Sequence, residues 1–302
     1  MSFDRLQEKI NAMKNPSVVG LDPALEHIPP QILERHIAMQ GETLEAAVAA
    51  VCEFNLGLID ALCDIVPAVK PQSAYYEVLG PGGVLALKQT CDYAKKKGMY
   101  VICDGKRNDI GSTAQAYASA YLGTVKVGTA ALCSFDVDAL TVNAYLGSDG
   151  IKPFIDMSVK YDKAVFALVK TSNPSSGELQ DRLIGGDRIY TLVGDLMQDI
   201  SKETVGKYGY TCVGAVVGAT YPEEAEFLRS RLKHTFFLVP GYGAQGGSAA
   251  EAVKAFDKNG HGAIVNSSRG IIAAWKKSDE DYAIAARNEA LRMRDEFRRA
   301  LS

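Results

Sequence analysis

The sequence has no apolar run long enough to span a bilayer, which excludes a transmembrane helix. It has no basic excess. Thirty-three Lys and Arg against 36 Asp and Glu leave a formal net charge of −3, with nothing to hold a phosphate backbone. Nucleic acid and membrane are therefore not expected partners. There is no Cys-x-x-Cys pair. Cys52, Cys63, Cys91, Cys103, Cys133 and Cys212 are scattered, and Cys103 and Cys212 lie in apolar strand-like runs, so reduced core thiols are the simplest reading. His27, His36, His234 and His261 show no metal-ligand spacing, and no metal is assigned. The opening stretch, Ser2 to Lys14, is charged and amphipathic and lacks an apolar signal core, so cytoplasm is the expected compartment. No low-complexity linker and no internal repeat divides the chain.

What is present is ordinary globular composition, 47% hydrophobic and 23% charged over 302 residues, a length that suits one large domain. Strand-like and helix-like segments alternate. Strands are expected at Ser17 to Asp22, Ile65 to Pro71, Val101 to Lys106, Ala139 to Ala144, Ala164 to Thr171, Thr211 to Ala219, Phe236 to Pro240 and Ala263 to Asn266. Helices are expected at 43–63, at 84–97 closed by Gly98, after Ser112, at 190–205, after Pro222, after Ser248, and from Asp281 to about Arg299. The lysines at 95, 96 and 97 read as a match to the helix dipole. Residues 172–188 form a polar, Gly- and Ser-rich loop with the length of a mobile functional segment.

Eight such strands predict a parallel sheet closed as a single (β/α)8 TIM barrel, α/β in class. The rival is an open doubly wound sheet. The barrel is favoured because no Gly-x-Gly-x-x-Gly follows the first strand and polar residues collect at the C-terminal ends of nearly all strands.

The stretch from Val101 to Thr113 organises the rest. It begins as an apolar run, passes through Asp104, Lys106 and Asp109, and ends at a helix start, where Ser112 and Gln115 have capping-box spacing. Alternation along a strand points Asp104 and Lys106 to one face. A structural ion pair at a strand end and a working site are both compatible with these residues alone.

Barrel enzymes act at the C-terminal mouth. There the strands would bring Asp22, Lys70, Gln72, Asp104, Lys106, Asp109, Asn143, Thr171 and Ser172. The seventh loop, Pro240 to Gly247, adds Tyr242 and Gln245, and the eighth adds Arg269. Individually, Asp22-Pro23 reads as a turn, Asn143 as a cap and Arg269 as a solvated charge. Their convergence on one face argues for a site. A Gly-rich loop and an arginine after strands seven and eight suit a phosphoryl group. The alternating charges Lys70, Asp104, Lys106 and Asp109 suit a reaction in which an ammonium protonates a forming carbanion beside a fixed carboxylate, without metal or cofactor.

These residues resemble a known family. Asp104-Gly105-Lys106-Arg107-Asn108-Asp109-Ile110 is similar to the Asp-x-Lys-x-x-Asp motif of the orotidine 5′-phosphate decarboxylases. Gly20-Leu21-Asp22, Val69-Lys70-Pro71, Thr171-Ser172-Asn173-Pro174, the Pro240 to Gly247 loop and Ser268-Arg269-Gly270 match family motifs in order, over about residues 17 to 275. The longer spacers resemble the longer-chain branch. The resemblance implies decarboxylation of orotidine 5′-phosphate to uridine 5′-phosphate in pyrimidine synthesis, without a cofactor. It implies that Lys106 protonates carbon 6, Asp104 presses on the departing carboxylate, and Lys70 binds ribose and orients Asp104. Asp22 would hold a ribose hydroxyl, Ser172 the pyrimidine ring, and Gln245 and Arg269 the phosphate. It also implies a homodimer in which Asp109, Ile110 and Thr113 reach the neighbouring site. Gln72 departs from a shorter Asn expected in many relatives, and Gln72, Tyr242 and Asn143 carry no implied role.

Two other readings share these features. Magnesium-dependent sugar-phosphate decarboxylases and synthases of the same suprafamily carry the central motif but a glutamate ligand where this chain has Lys70, beside which a cation is disfavoured. A non-catalytic nucleotide-binding barrel would not call for a carboxylate facing the ligand's own.

Overall fold

The computed structural model describes residues 1–243 and 246–302. Eight parallel strands close on themselves: β1 (Ser17–Leu21), β2 (Ala68–Pro71), β3 (Tyr100–Arg107), β4 (Ala139–Val142), β5 (Ala164–Lys170), β6 (Val213–Val217), β7 (Phe237–Val239) and β8 (Ala263–Ser267). Each pairs with the next, and β8 pairs with β1 through Ser17↔Val265 and Val19↔Ser267. This is the expected barrel. The strands are apolar on both faces because one lines the interior and the other meets the helices. No described helix is long and apolar enough to cross a membrane.

The interior is filled by Tyr100, Ile102, Phe166, Phe236 and Ile264, and its lower end is plugged by the N-terminal helix, Ser2–Met13. Phe3, Leu6 and Ile10 of that helix recur at three- and four-residue spacing, so one face enters the barrel. Phe3 stacks on Phe236 and tilts on Phe166, with both ring centroids 4.9 Å away. The plug leaves the upper end as the place for an open site.

Several boundaries differ from those expected. The second strand starts at Ala68, a short helix (Ala74–Glu77) follows it, and the helix expected from residue 84 starts at Gly80, since Pro81 suits a first turn. The helix after β3 runs Gly111–Leu122 with Ile110 at its N-cap and no side-chain cap, so the Ser112–Gln115 box does not form. Gln115 instead donates to Ser119. Residues 172–188 contain a 3-10 turn (Pro174–Glu178) and a small hairpin (Leu183–Ile184 with Asp187–Arg188), and the next helix ends at Ser201. An exposed hairpin, Val125–Val127 with Ala130–Leu132, was not expected. Lys95 and Lys97 do more than match the dipole: Lys95 donates to Asp136 at 2.5 Å and Lys97 pairs with Asp60 at 2.6 Å. The six cysteines are free.

If the N-terminal helix is the barrel's plug, Phe3→Ala should cost about 3–5 kcal/mol. Urea unfolding should show a lower midpoint with little change in slope.

Candidate active site

The C-terminal ends of the strands surround a cavity of about 500 Å³. Asp104 lies at its floor, buried, on β3. Lys70, the penultimate residue of β2, donates to Asp104 Oδ2 at 2.8 Å and is itself buried. Lys106 donates to Asp104 Oδ1 at 2.7 Å from a side chain that is 46% exposed. Thr141 on β4 donates to the same Oδ1 at 2.8 Å. Burial pushes the Asp104 carboxyl up, but Lys70 and Lys106 overcome it and hold the group well below the usual carboxylate range. Burial likewise disfavours the Lys70 ammonium, but the charges of Asp104 and Asp22 outweigh it and raise the group's pKa.

Asp104 and Lys106 meet for a reason that strand alternation does not supply. Pairing of β3 with β4 runs Ile102↔Ala139 and Cys103↔Leu140, then jumps to Arg107↔Val142. The strand bulges over the intervening residues, and Lys106 takes φ +46°, a left-handed conformation that costs a lysine of order 1–3 kcal/mol. Its N–H donates to Thr141 Oγ1 at 2.9 Å, which holds the bulge in place. Thr141 was missed in the sequence reading. The signal available was a polar residue in the otherwise apolar run Ala139-Leu140-Thr141-Val142.

Asp22, Gln72, Thr171, Ser172, Pro240, Tyr242 and Arg269 also line the cavity. Oδ1 of Asp22 is buried without a hydrogen bond among the described residues. Gln72 bridges to Asp104 through the backbone, three residues beyond the Val69↔Val101 pair of β2 and β3. Tyr242 is largely committed elsewhere: its hydroxyl donates to Glu296 of the C-terminal helix (Tyr282–Ala300), and its ring packs on Phe297 at 5.3 Å. Arg269 stands exposed. Asn173, Gln180, Asn266 and Ser268 line the cavity too and were missed as individual residues. They sit in loops and strand ends, where spacing alone gives no direction.

The glycines near the mouth have two different causes. A Cβ at Gly20 would lie 1.8 Å from Ser268 Oγ, so β1 and the loop after β8 approach only because that atom is absent. In the loop after β7, Gly241, Gly243 and Gly246 take φ of +103°, +70° and +94°, a conformation glycine adopts without strain. The N–H groups of Gly243, Gly246 and Gly247 bond to carbonyls of the same loop, so they do not form the open anion cradle expected from composition. Gln245 lies outside the described residues.

Four of the expected site residues stand off this cavity. Asp109 is half-buried and accepts the Ile110 N–H at 2.8 Å; Ile110 is 55% exposed and Thr113 is exposed. Asp109 therefore does not join Lys70, Asp104 and Lys106 within one chain, and the four-charge array is a three-charge array there. Asn143 caps the turn Ala144–Leu146 by accepting the Tyr145 N–H at 3.0 Å, the cap reading of this residue.

Known proteins similar to this chain cover most of its length. The model of the "Orotidine 5′-phosphate decarboxylase / HUMPS family" matches residues 18–281. An orotidine 5′-phosphate decarboxylase of Rhodopirellula baltica is 46% identical over 268 residues, 89% of this chain and 86% of its own. One from Clostridium perfringens strain 13 is 40% identical over 305 residues, 100% of this chain and 99% of its own. The solved structure of Leishmania donovani OMP decarboxylase is similar at a TM-score of 0.71 and 30% identity, covering 97% of this chain and 99% of that one.

The charge cluster sets a pH dependence. A carboxyl lowered in the folded state contributes stability above its unfolded value, near 3.9, and loses it as pH falls through the folded value. A lysine raised in the folded state contributes below its unfolded value, near 10.4, and loses it above. The stability advantage of wild type over Asp104→Asn should therefore be fully present near neutral pH and shrink as pH falls below about 5. Urea titrations at several pH values measure it.

Proposed function

The chain belongs to the orotidine 5′-phosphate decarboxylase / HUMPS family, and we propose that it converts orotidine 5′-phosphate to uridine 5′-phosphate and carbon dioxide with Lys106 as proton donor. The observation that carries the mechanism is Asp104, kept ionised between Lys70 and Lys106 at the cavity floor. A substrate carboxylate set against that fixed charge is repelled, and the repulsion disappears as carbon dioxide leaves. The carbon–carbon bond breaks, its electron pair stays on carbon 6, and Lys106 Nζ gives that carbon a proton. The partly exposed side chain of Lys106 then regains a proton from solvent.

The surrounding residues supply binding. The unpaired Oδ1 of Asp22 suits a donating ribose hydroxyl. Lys70 orients Asp104 and reaches toward ribose. Ser172, lining the same cavity wall as Thr171, addresses the pyrimidine, and Arg269 grips the phosphate; Gln245, for which the resemblance implies a phosphate role, lies outside the described residues. Gln72 shapes the wall beside Asp104. The reading includes a homodimer in the cytoplasm. Asp109, Ile110 and Thr113 do not line their own chain's cavity, which suits service to a neighbouring site across a two-fold axis.

The assignment is tested by following the absorbance of orotidine 5′-phosphate with purified protein in chelator. Turnover under those conditions supports it; a requirement for magnesium, or binding without turnover, overturns it in favour of one of the two competing readings. Within it, Lys106→Ala should lower kcat by about 10²–10⁴-fold and leave uridine 5′-phosphate affinity within a few-fold, because the lost contact belongs mainly to the transition state. Near-normal turnover would remove Lys106 from the mechanism. The shared site needs a mixed population. Lys106→Ala and Asp109→Ala homodimers should both be nearly inactive. If Asp109 serves the neighbour, each mixed dimer holds one intact site, and equal mixing should restore roughly a quarter of wild-type activity. No recovery despite demonstrated subunit exchange would overturn the shared site and leave the decarboxylase reading standing.

A further inference from the structure

Lys170 ends β5 with no exposed side-chain surface, and it takes no part in the Asp104 cluster. A buried ammonium requires a counter-charge. Asp181 supplies one from the middle of the loop after β5, with Oδ1 2.7 Å from Nζ. The rings of Tyr221 and Tyr190 flank the ammonium at 4.4 and 5.5 Å. The residue before Asp181 lines the cavity. The side-chain carbonyl of Gln180 accepts the Thr171 N–H at 2.9 Å, and its amide donates to Thr171 Oγ1 at 2.7 Å. The chain is thus clipped to itself at Thr171 and Gln180, closing a small loop over residues 172–179 that carries Ser172 and Asn173 at the cavity wall.

We propose that Lys170 and Asp181 are positioning residues: the ion pair between the buried Lys170 and Asp181 seats Gln180 on Thr171 and so sets where Ser172 meets the pyrimidine ring. This rests on the decarboxylase reading, which assigns that end of the cavity to the ring. Neither Lys170 nor Asp181 lines the cavity, so both act through Gln180. The loop expected to be a mobile functional segment over 172–188 is thus tied to the barrel at Gln180 and Asp181.

The test uses Gln180→Ala, which leaves the ion pair intact, and Asp181→Asn, which removes its charge. Folding is checked by thermal melts, and if Asp181→Asn fails to fold, Gln180→Ala decides alone. The folded variants should bind uridine 5′-phosphate about tenfold more weakly and show a matching rise in KM, with a smaller change in kcat. Inhibition by ribose 5-phosphate, which lacks the ring, should stay within about twofold. Unchanged uridine 5′-phosphate affinity in folded Gln180→Ala overturns the clamp, and so does an equal loss for both ligands, which marks a general distortion. Wild-type protein assayed in parallel separates the two levels. Wild-type turnover with unaltered variants removes the clamp alone, whereas absence of wild-type turnover removes the decarboxylase reading and the clamp with it.

Discussion

Asp104 has an ammonium on each oxygen, Lys70 at 2.8 Å and Lys106 at 2.7 Å, and lies buried between them. Asp104 and Lys70 depend on each other: burial disfavours the charge of each, and the opposite charge beside it outweighs burial. The mouth of the barrel is arranged around that buried pair. Thr141 satisfies a further lone pair of Asp104 and also anchors the backbone of Lys106. That linkage ties the electrostatics to the β3 bulge, and the bulge brings Lys106 to the cavity without burying it.

The barrel makes the arrangement rigid. Strands β2, β3 and β4 are adjacent, so Lys70, Asp104 and Thr141 come from three neighbouring positions on one wall. The lower end is closed by Phe3 against Phe166 and Phe236, which leaves open the end where the strand termini place their polar residues. Gly20 lets β1 and the loop after β8 come close, and this brings the Arg269 side of the mouth toward Asp22.

The loops contribute in unequal ways. The loop after β7 is held by its own backbone hydrogen bonds and by Tyr242, whose hydroxyl is directed to Glu296 and whose ring packs on Phe297. The loop after β5 is held at Asp181 by its ion pair with the buried Lys170.

Alternation of apolar runs with helical segments made the eight strands and the barrel legible, because burial on both faces imposes that pattern on any order of residues that satisfies it. The chemistry of the mouth was legible for the same reason: charged residues at strand ends, such as Lys70, Asp104 and Lys106, have few structural explanations. What the sequence did not carry is direction. It placed Asp109 with Lys106 by spacing, whereas the backbone turns Asp109 away from its own cavity. It offered a capping box at Ser112, whereas Ile110 occupies the N-cap. It could not find Gln180 or the partner of Lys170, since both depend on contacts across eight or more residues of irregular chain. The left-handed turn at Lys106 belongs to the same class. Periodicity reports which face of a regular element is buried, so the sequence by itself determined the barrel and the identity of its charges. Bulges, caps and loop clamps break that periodicity through hydrogen bonds to distant residues, so only the tertiary structure decided which charges meet.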